Sequence, residues 1–371
     1  LLRYKFNLWQ YFFRRSDLFF WLYLLAISFN LLCAKDKRIA LSLYKDLTMG
    51  AIFIYFLIKN EIDFYTSKKI FYVLCFCAGL VSFFGITEML TRSNWIYKYY
   101  AKTPFYFRFI GYRMMSTLVH PNVLGSYLIV CVPLAYYFFK NRYILKIEFL
   151  NLATPIFMLT VFALALTFSR GTWIASLLMF SVWLWIKNKK KWILFIWLML
   201  IFFCCFVQLA AKYGYLKGER FGIISLLRYI SDSHRIRNYF TTFKILKQHP
   251  WVGIGLNHYR LLFNQYSSSS IEYELRVPES MYLEHLAETG IIGFLGLVIL
   301  LTHTVRKAWL GYRKLADENK EMLLVIIMSF MGLLFNLAFY DGFLWNTPFY
   351  LFWILLAVLN SFDKQNRIKQ V

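Results

Sequence analysis

Charge is scarce in this 371-residue sequence: 16% of residues are Asp, Glu, Lys or Arg, and the acidic ones number 19. Soluble domains carry about 25% charge and about 45–50% apolar residues. Here 60% of residues are hydrophobic, which excludes a water-soluble globular enzyme. The high apolar content also excludes disorder, and low-complexity sequence is confined to Ser267–Ser270. Cysteines number 6. Cys33, Cys75, Cys77, Cys131, Cys204 and Cys205 all lie in or beside apolar runs, none in a Cys-x-x-Cys pair or at zinc spacing from a histidine. They read as small buried hydrophobes rather than as metal ligands or disulfides.

What is abundant is positive charge, with 42 Lys and Arg and a net charge of +23. A nucleic-acid binder would carry that charge on a polar fold. In this chain the cations fall between long apolar runs, so no nucleic acid is expected and the partner is membrane lipid. The fold class is therefore all-α, a polytopic transmembrane helical bundle.

A bilayer core needs about 20 apolar residues per helix. Runs approaching that length predict about ten visible spans, at 18–34, 46–58, 70–90, 123–139, 150–168, 171–186, 192–211, 281–302, 322–340 and 342–360. With the N-terminus in the cytoplasm, the segments 1–17, 59–69, 140–149, 187–191, 303–321 and the C-terminal tail hold more than half of the 42 basic residues, as the positive-inside bias requires. Lys35, Lys37, Arg38 and Lys45 run against it. Two long segments, 91–122 and 212–280, then face outward. The organisation expected is N-terminal transmembrane helices over 1–211, a long periplasmic helical loop over 212–280, and C-terminal helices with a cytoplasmic tail over 281–371. The chain opens Leu1-Leu2-Arg3 without a Met, which predicts further helices upstream, for about 12 in all.

Within the long loop, Asp232 or Ser233 can cap a helix. Its apolar positions Ile236, Tyr239, Phe240, Phe243 and Leu246 recur at three and four residues and are expected to rest on the bundle or the lipid surface. Arg237, Lys244 and Lys247 would stay exposed. His249-Pro250 ends this helix and Gly253-x-Gly255 turns the chain. No strand precedes those glycines, so they read as a turn and not as a phosphate cradle.

Four stretches stand out, all on the outer face of that topology. They are Arg113-Met-Met-Ser-Thr-Leu-Val-His120-Pro121-Asn122; Thr167-Phe-Ser169-Arg170-Gly171; Arg235-Ile-Arg237-Asn-Tyr239 with His249-Pro250-Trp-Val-Gly253-Ile-Gly255; and Pro278-Glu279-Ser280-Met281-Tyr282-Leu283 running into Leu286-Ala287-Glu288-Thr289-Gly290. In this order and spacing they resemble the O-antigen ligase and polymerase superfamily over roughly 35–360. The resemblance implies transfer of a glycan from an undecaprenyl-diphosphate donor to an acceptor hydroxyl at the outer face of the bacterial inner membrane. The acceptor would be lipid A core or a growing glycan, and neither cofactor, metal nor nucleotide sugar would be needed.

A lipid diphosphate requires fixed cations to hold it and to stabilise charge on the departing oxygen, and arginine's planar fork suits phosphate best. Arg170 and Arg235 are the expected diphosphate ligands, with Arg113 a third. Ligases similar to this chain place a histidine where Glu279 stands. Glu279 can act as the base that takes the acceptor proton, bind sugar hydroxyls, or cap the following helix. Further substrate contacts are expected from His120, Asn122, Arg237, His258, Ser280 and Tyr282. His120 and Asn122 can equally be local helix caps, and His249 and His258 are alternative bases. His234 is expected to face solvent. His285, Glu284 and Glu288 should satisfy one another inside a helix pair, with Gly290, Gly293 and Gly296 allowing close helix approach. A different class remains open, a transporter or flippase of a lipid-linked or anionic solute, for which the same basic cavity would bind an anion in passage.

Overall fold

A computed structural model describes residues 12–13, 17–62, 64–91, 113–141, 152–198, 234–268, 271, 273–315 and 317–361. These residues form helices and no strand. The helices are α1 (Leu18–Cys33), α2 (Lys37–Glu61), α3 (Phe64–Thr91), α4 (Pro121–Lys140), α5 (Ala153–Leu166), α6 (Arg170–Ile186), α7 (His234–Gln248), α8 (Tyr259–Tyr266), α9 (Met281–Lys314), α10 (Asp317–Leu337) and α11 (Asn346–Ser361). Of the expected span at 192–211, a helical run reaches 198 and the rest lies outside the described residues, as do Asp232, Ser233, Cys204 and Cys205.

A helix stands at each of the other nine expected places, but five are long and apolar enough to cross a membrane: α2, residues 66–91 of α3, α4, α9, and residues 319–337 of α10. Helices α1, α5 and α6 are apolar and shorter. The run expected at 46–58 belongs to a 25-residue helix that begins in the basic segment. The Asp36 carboxylate accepts from the Arg38 and Ile39 amides, so capping starts α2 early while Lys37, Arg38 and Lys45 stay exposed.

Helices α10 and α11 form the centre. From Met322 to Met328 every α10 side chain is buried, the signature of a helix surrounded by others. It packs against α4, α6, α9 and α11, while α11 packs on α2, α9 on α1, and α3 on α4 and α5. Gly296 of α9 lies against Ala26 and Tyr23 of α1, the close helix approach that its small size predicts. Outward faces carry Leu25, Phe53, Leu80, Phe162 and Leu295, which suits contact with lipid.

Helix α9 is broken at Gly290 (φ 65°, ψ −168°). The break separates a polar arm, 281–289, from the apolar run that starts at Ile291. Backbone groups freed there pair with the loop after α7: Ile254 N donates to Ala287 O (3.1 Å), Gly255 N to Glu288 O (3.0 Å), Ile291 N to Pro250 O (2.8 Å) and Ile292 N to Trp251 O (3.1 Å). Non-helical backbone within an apolar helix needs such partners. A Cβ on Gly253 would stand 2.4 Å from Glu288 O, and one on Gly290 2.4 Å from the Trp251 carbonyl carbon, so the two chains touch backbone to backbone. Gly290 is thus a break and not a helix–helix contact. Asn30 of α1 fastens the junction, donating to Val252 O (2.5 Å) and Glu288 O (2.8 Å) and accepting from Leu256 N (3.2 Å).

The apolar stripe of α7 does not pack into the bundle at Phe240 and Phe243, which leaves the lipid surface of the two places expected for it. The face the helix buries is Asn238, Thr241, Thr242 and Ile245, whereas Phe240 and Phe243 are exposed beside Arg237, Lys244 and Lys247. The inner face is polar because it meets polar partners: Asn238 donates to Leu275 O, and Thr242 lies 3.1 Å from the Tyr259 hydroxyl.

Candidate active site

Two of the four singled-out stretches meet at one end of the bundle through a chain of polar groups. Arg113 donates from Nε to Thr167 O (3.0 Å) and from a terminal nitrogen to Asn122 Oδ1 (2.8 Å). The Ser169 hydroxyl donates to the same Asn122 oxygen (3.0 Å). Thr172 Oγ1 lies 2.9 Å from Ser169 Oγ and 3.0 Å from Asn336 Oδ1, and the Asn336 amide reaches Ser126 Oγ at 2.6 Å. This network joins the starts of α4 and α6 to α10. Asn122 is therefore not the cap of α4. His120 is, its Nδ1 accepting from the Asn122 amide (3.1 Å), with the extended backbone (φ −137°, ψ 133°) that a residue before proline adopts.

The imidazole of His120 stacks on Tyr340 (5.6 Å between centroids) and lies 5.3 Å from the Trp345 ring. Burial pushes its pKa down to about 3, Arg113 adding to the effect and Glu279 opposing it. The ring is neutral at physiological pH, and since Nδ1 accepts a bond the proton sits on Nε2, which makes that atom a donor. Tyr340 continues the path, its carbonyl accepting from Met281 N (3.1 Å) at the start of α9.

There the fourth stretch begins. Glu279 has a left-handed backbone (φ 48°), as do Val119 (φ 63°) and Phe168 (φ 47°) in the first and second stretches. Such conformations cost about 1–3 kcal/mol each and persist where the surroundings enforce them, commonly at functional sites. The Glu279 carboxylate, 19% exposed, is gripped from two sides. His234 Nε2 lies 2.6 Å from Oε1, and Arg235 forms an ion pair with Oε2. Burial pushes the carboxyl up, but the His234 bond and the Arg235 charge outweigh it and hold it below the usual glutamate range. Asp341 shows the opposite balance. Burial and the Glu279 charge raise it to about 6 against the pull of Arg260 and Arg235.

The remaining expected residues divide. Arg170 opens α6, exposed, and is brought to this end because Gly171 abuts Phe339, where a Cβ would stand 2.6 Å from that residue's Cβ. Ser280 is buried at the start of α9 without a side-chain capping bond. Tyr282 donates to Leu334 O (2.9 Å) and ties α9 to α10. Arg237 lies on the exposed face of α7, away from the cluster. His258 is buried with both ring nitrogens committed to backbone: Nδ1 donates to Leu256 O (2.7 Å) and Nε2 accepts from Asp36 N (3.1 Å). Its role is to pin the α1–α2 turn to the loop. His249 pairs with the Tyr266 hydroxyl (3.0 Å). Glu288 accepts from the amides of Asn257 (2.9 Å) and Tyr259 (3.1 Å), so it is satisfied by loop backbone and not by its neighbours on α9.

Sequence reasoning missed four participants. His234 does not face solvent; it is bonded to Glu279. Arg260 stands within electrostatic reach of Asp341, Glu284 and Glu288, its Nε buried without a hydrogen-bond partner among the described residues. Asn336 and Asp341 come from the far end of the chain. Only His234, one residue before an arginine already singled out, carried a signal in the sequence. No group of acidic, histidine and cysteine residues able to hold a metal occurs among the described residues.

The O-antigen ligase family matches residues 155–298, which include Arg170, Arg235, the Gly253–Gly255 turn and the Glu279–Gly290 stretch. Curated proteins return no match to the chain.

Proposed function

We propose that this membrane protein, a member of the O-antigen ligase and polymerase superfamily, moves a glycan from an undecaprenyl-diphosphate carrier to an acceptor hydroxyl at the periplasmic face of the bacterial inner membrane. The acceptor is lipid A core or a growing glycan chain. The observation that supports this reading is the Glu279 carboxylate held between His234 and Arg235, with His120 under the influence of both Glu279 and Arg113.

The chemistry suits those groups. The acceptor oxygen attacks the anomeric carbon, the bond from that carbon to the diphosphate oxygen breaks, and the bonding electrons leave with the lipid diphosphate. A single displacement of this kind inverts the anomeric centre. Guanidinium groups hold the diphosphate and stabilise the charge that grows on its departing oxygen. Arg235 presents its N–H donors in a planar fork whose geometry matches phosphate oxygens as it does the Glu279 carboxylate. The rings of His120, Tyr340 and Trp345 lie together and offer stacking faces for a sugar. No step calls for a metal or a nucleotide sugar.

The test is complementation of a strain lacking the gene, read as a glycan ladder on a gel. Arg170→Ala and Arg235→Ala are expected to abolish glycan assembly with unchanged protein in the membrane, and full activity in both overturns the reading. In the deletion strain, single repeats capped onto core identify a polymerase. Bare core with glycan accumulating on the lipid carrier identifies a ligase. A labelled donor crossing into protein-containing vesicles without transfer would instead identify a flippase.

A further inference from the structure

We infer that the group accepting the acceptor's proton is His234, and that Glu279 positions it. The inference rests on the glycan-transfer reading and assigns its base. The imidazole at the first residue of α7 comes within 2.6 Å of the Glu279 carboxylate.

Three observations separate the two roles. Both carboxylate oxygens are engaged, Oε1 with His234 and Oε2 with Arg235. A carboxylate so held, and kept below its usual range by those partners, is a weak base but a firm orienting group. Next, the bond to Glu279 uses His234 Nε2. A carboxylate accepts, so the neutral ring carries its hydrogen on Nε2 and its lone pair on Nδ1. That Nδ1 makes no hydrogen bond among the described residues, and the side chain is 16% exposed, so the lone pair is available. Finally, the strained backbone of Glu279 fixes the carboxylate in place, as an orienting group requires.

Three of the other imidazoles are already engaged in hydrogen bonds. His120 accepts with Nδ1 and is protonated on Nε2. His258 has both nitrogens on backbone, and His249 is paired with Tyr266. His285 lies within the polar arm of α9 against Tyr23. The step balances as follows. The acceptor oxygen forms its bond to the anomeric carbon, the diphosphate leaves with the electrons of the broken bond, and the hydroxyl proton passes to His234 Nδ1. Glu279 Oε1 then faces an imidazolium whose charge it stabilises.

Four variants test this in membrane vesicles supplied with undecaprenyl-diphosphate glycan and the acceptor: His234→Gln, Glu279→Gln, the exchange His234→Glu with Glu279→His, and His234→Gln with Glu279→Gln. General-base catalysis is worth about 10²–10⁴-fold. His234→Gln should therefore lower kcat by about 100-fold or more while the donor KM stays within a few-fold. Glu279→Gln should cost less, and the exchange should recover activity above either single variant. Transfer by His234→Gln within a few-fold of the parent, at equal protein in the membrane, overturns the inference, as does an exchange variant no better than the double glutamine. Those outcomes leave the glycan-transfer reading standing, whereas a parent protein without transfer overturns both.

Discussion

The two halves of the candidate site are built on different principles. Where α4, α6 and α10 meet, Asn122, Ser169, Thr172, Asn336 and Ser126 bond to one another, neutral donors matched to neutral acceptors. Where α7 and α8 meet the arm of α9, the groups are ionisable: His234, Arg235, Glu279, Arg260, Glu284 and Asp341. There Glu279 has a left-handed backbone and Arg260 Nε has no hydrogen-bond partner among the described residues. A satisfied neutral network confers a fixed shape, because breaking any one bond leaves buried partners unpaired. An ionisable cluster with open valences is suited to receive something else. The contrast assigns framework to the first half and chemistry to the second.

The largest effect that can break this contrast is expected at the junction carrying the ionisable half. Gly253→Ala places a methyl carbon against Glu288 O in a backbone with φ +66°, and should cost about 4 kcal/mol or more, read as lost folded protein in detergent thermal melts. Next comes Arg235→Ala, expected to reduce glycan transfer by about 10²–10³-fold with a small change in melting temperature. Asn336→Leu should behave in the opposite way. It strips partners from Thr172 and Ser126, so a loss of about 2 kcal/mol of stability is expected, with activity per folded molecule little changed. A variant of Asn336 that keeps its stability but loses transfer would erase the distinction.

A pH titration sharpens the contrast within the ionisable half. Glu279 is held below its unfolded pKa, so its contribution is present above that unfolded value and lost as pH falls through the lower folded one. Glu279→Gln should flatten the acid side of the stability curve. Asp341 is raised to about 6, so its burial weakens the fold as pH rises from the unfolded value, near 4, to about 6. Asp341→Asn should stabilise the protein above pH 6, and that gain should vanish at acid pH. The smallest effect is expected outside both halves: Phe243→Ser, on an exposed face, should stay within about 0.5 kcal/mol in detergent.

Much of the fold was legible because long apolar runs have few alternatives to helix in a bilayer. The apolar stripe of α7 stays off the bundle for a related reason. A stripe marks the buried face when water is the alternative environment, but where lipid or a polar partner is available the aromatic face gains little by turning inward. The helix instead buries Asn238, Thr241 and Thr242. Of the candidate site groups, Arg170, Arg235 and Glu279 are the ones that motif order singles out. The pairings were not legible: Thr172 meets Asn336 across 164 residues, and Asn336 meets Ser126 across 210. His234 was set aside because it opens a helix in a basic segment, and only the folded chain shows which carboxylate it meets.

The broken helix has one more consequence, a matter of height. Gly290 is the residue at which α9 passes from its polar arm to its apolar run, and the same residue is locked to Trp251 by backbone contact. The depth at which the apolar run enters the bilayer therefore sets the level of the arm, of Glu279 at its head, and of the loop that leads back to α7. The junction works as a ruler. Under the proposed function it holds the carboxylate–imidazole pair at one elevation, the same confinement that a diphosphate tethered to a membrane-embedded chain has. A substrate free in solution would gain nothing from such a gauge.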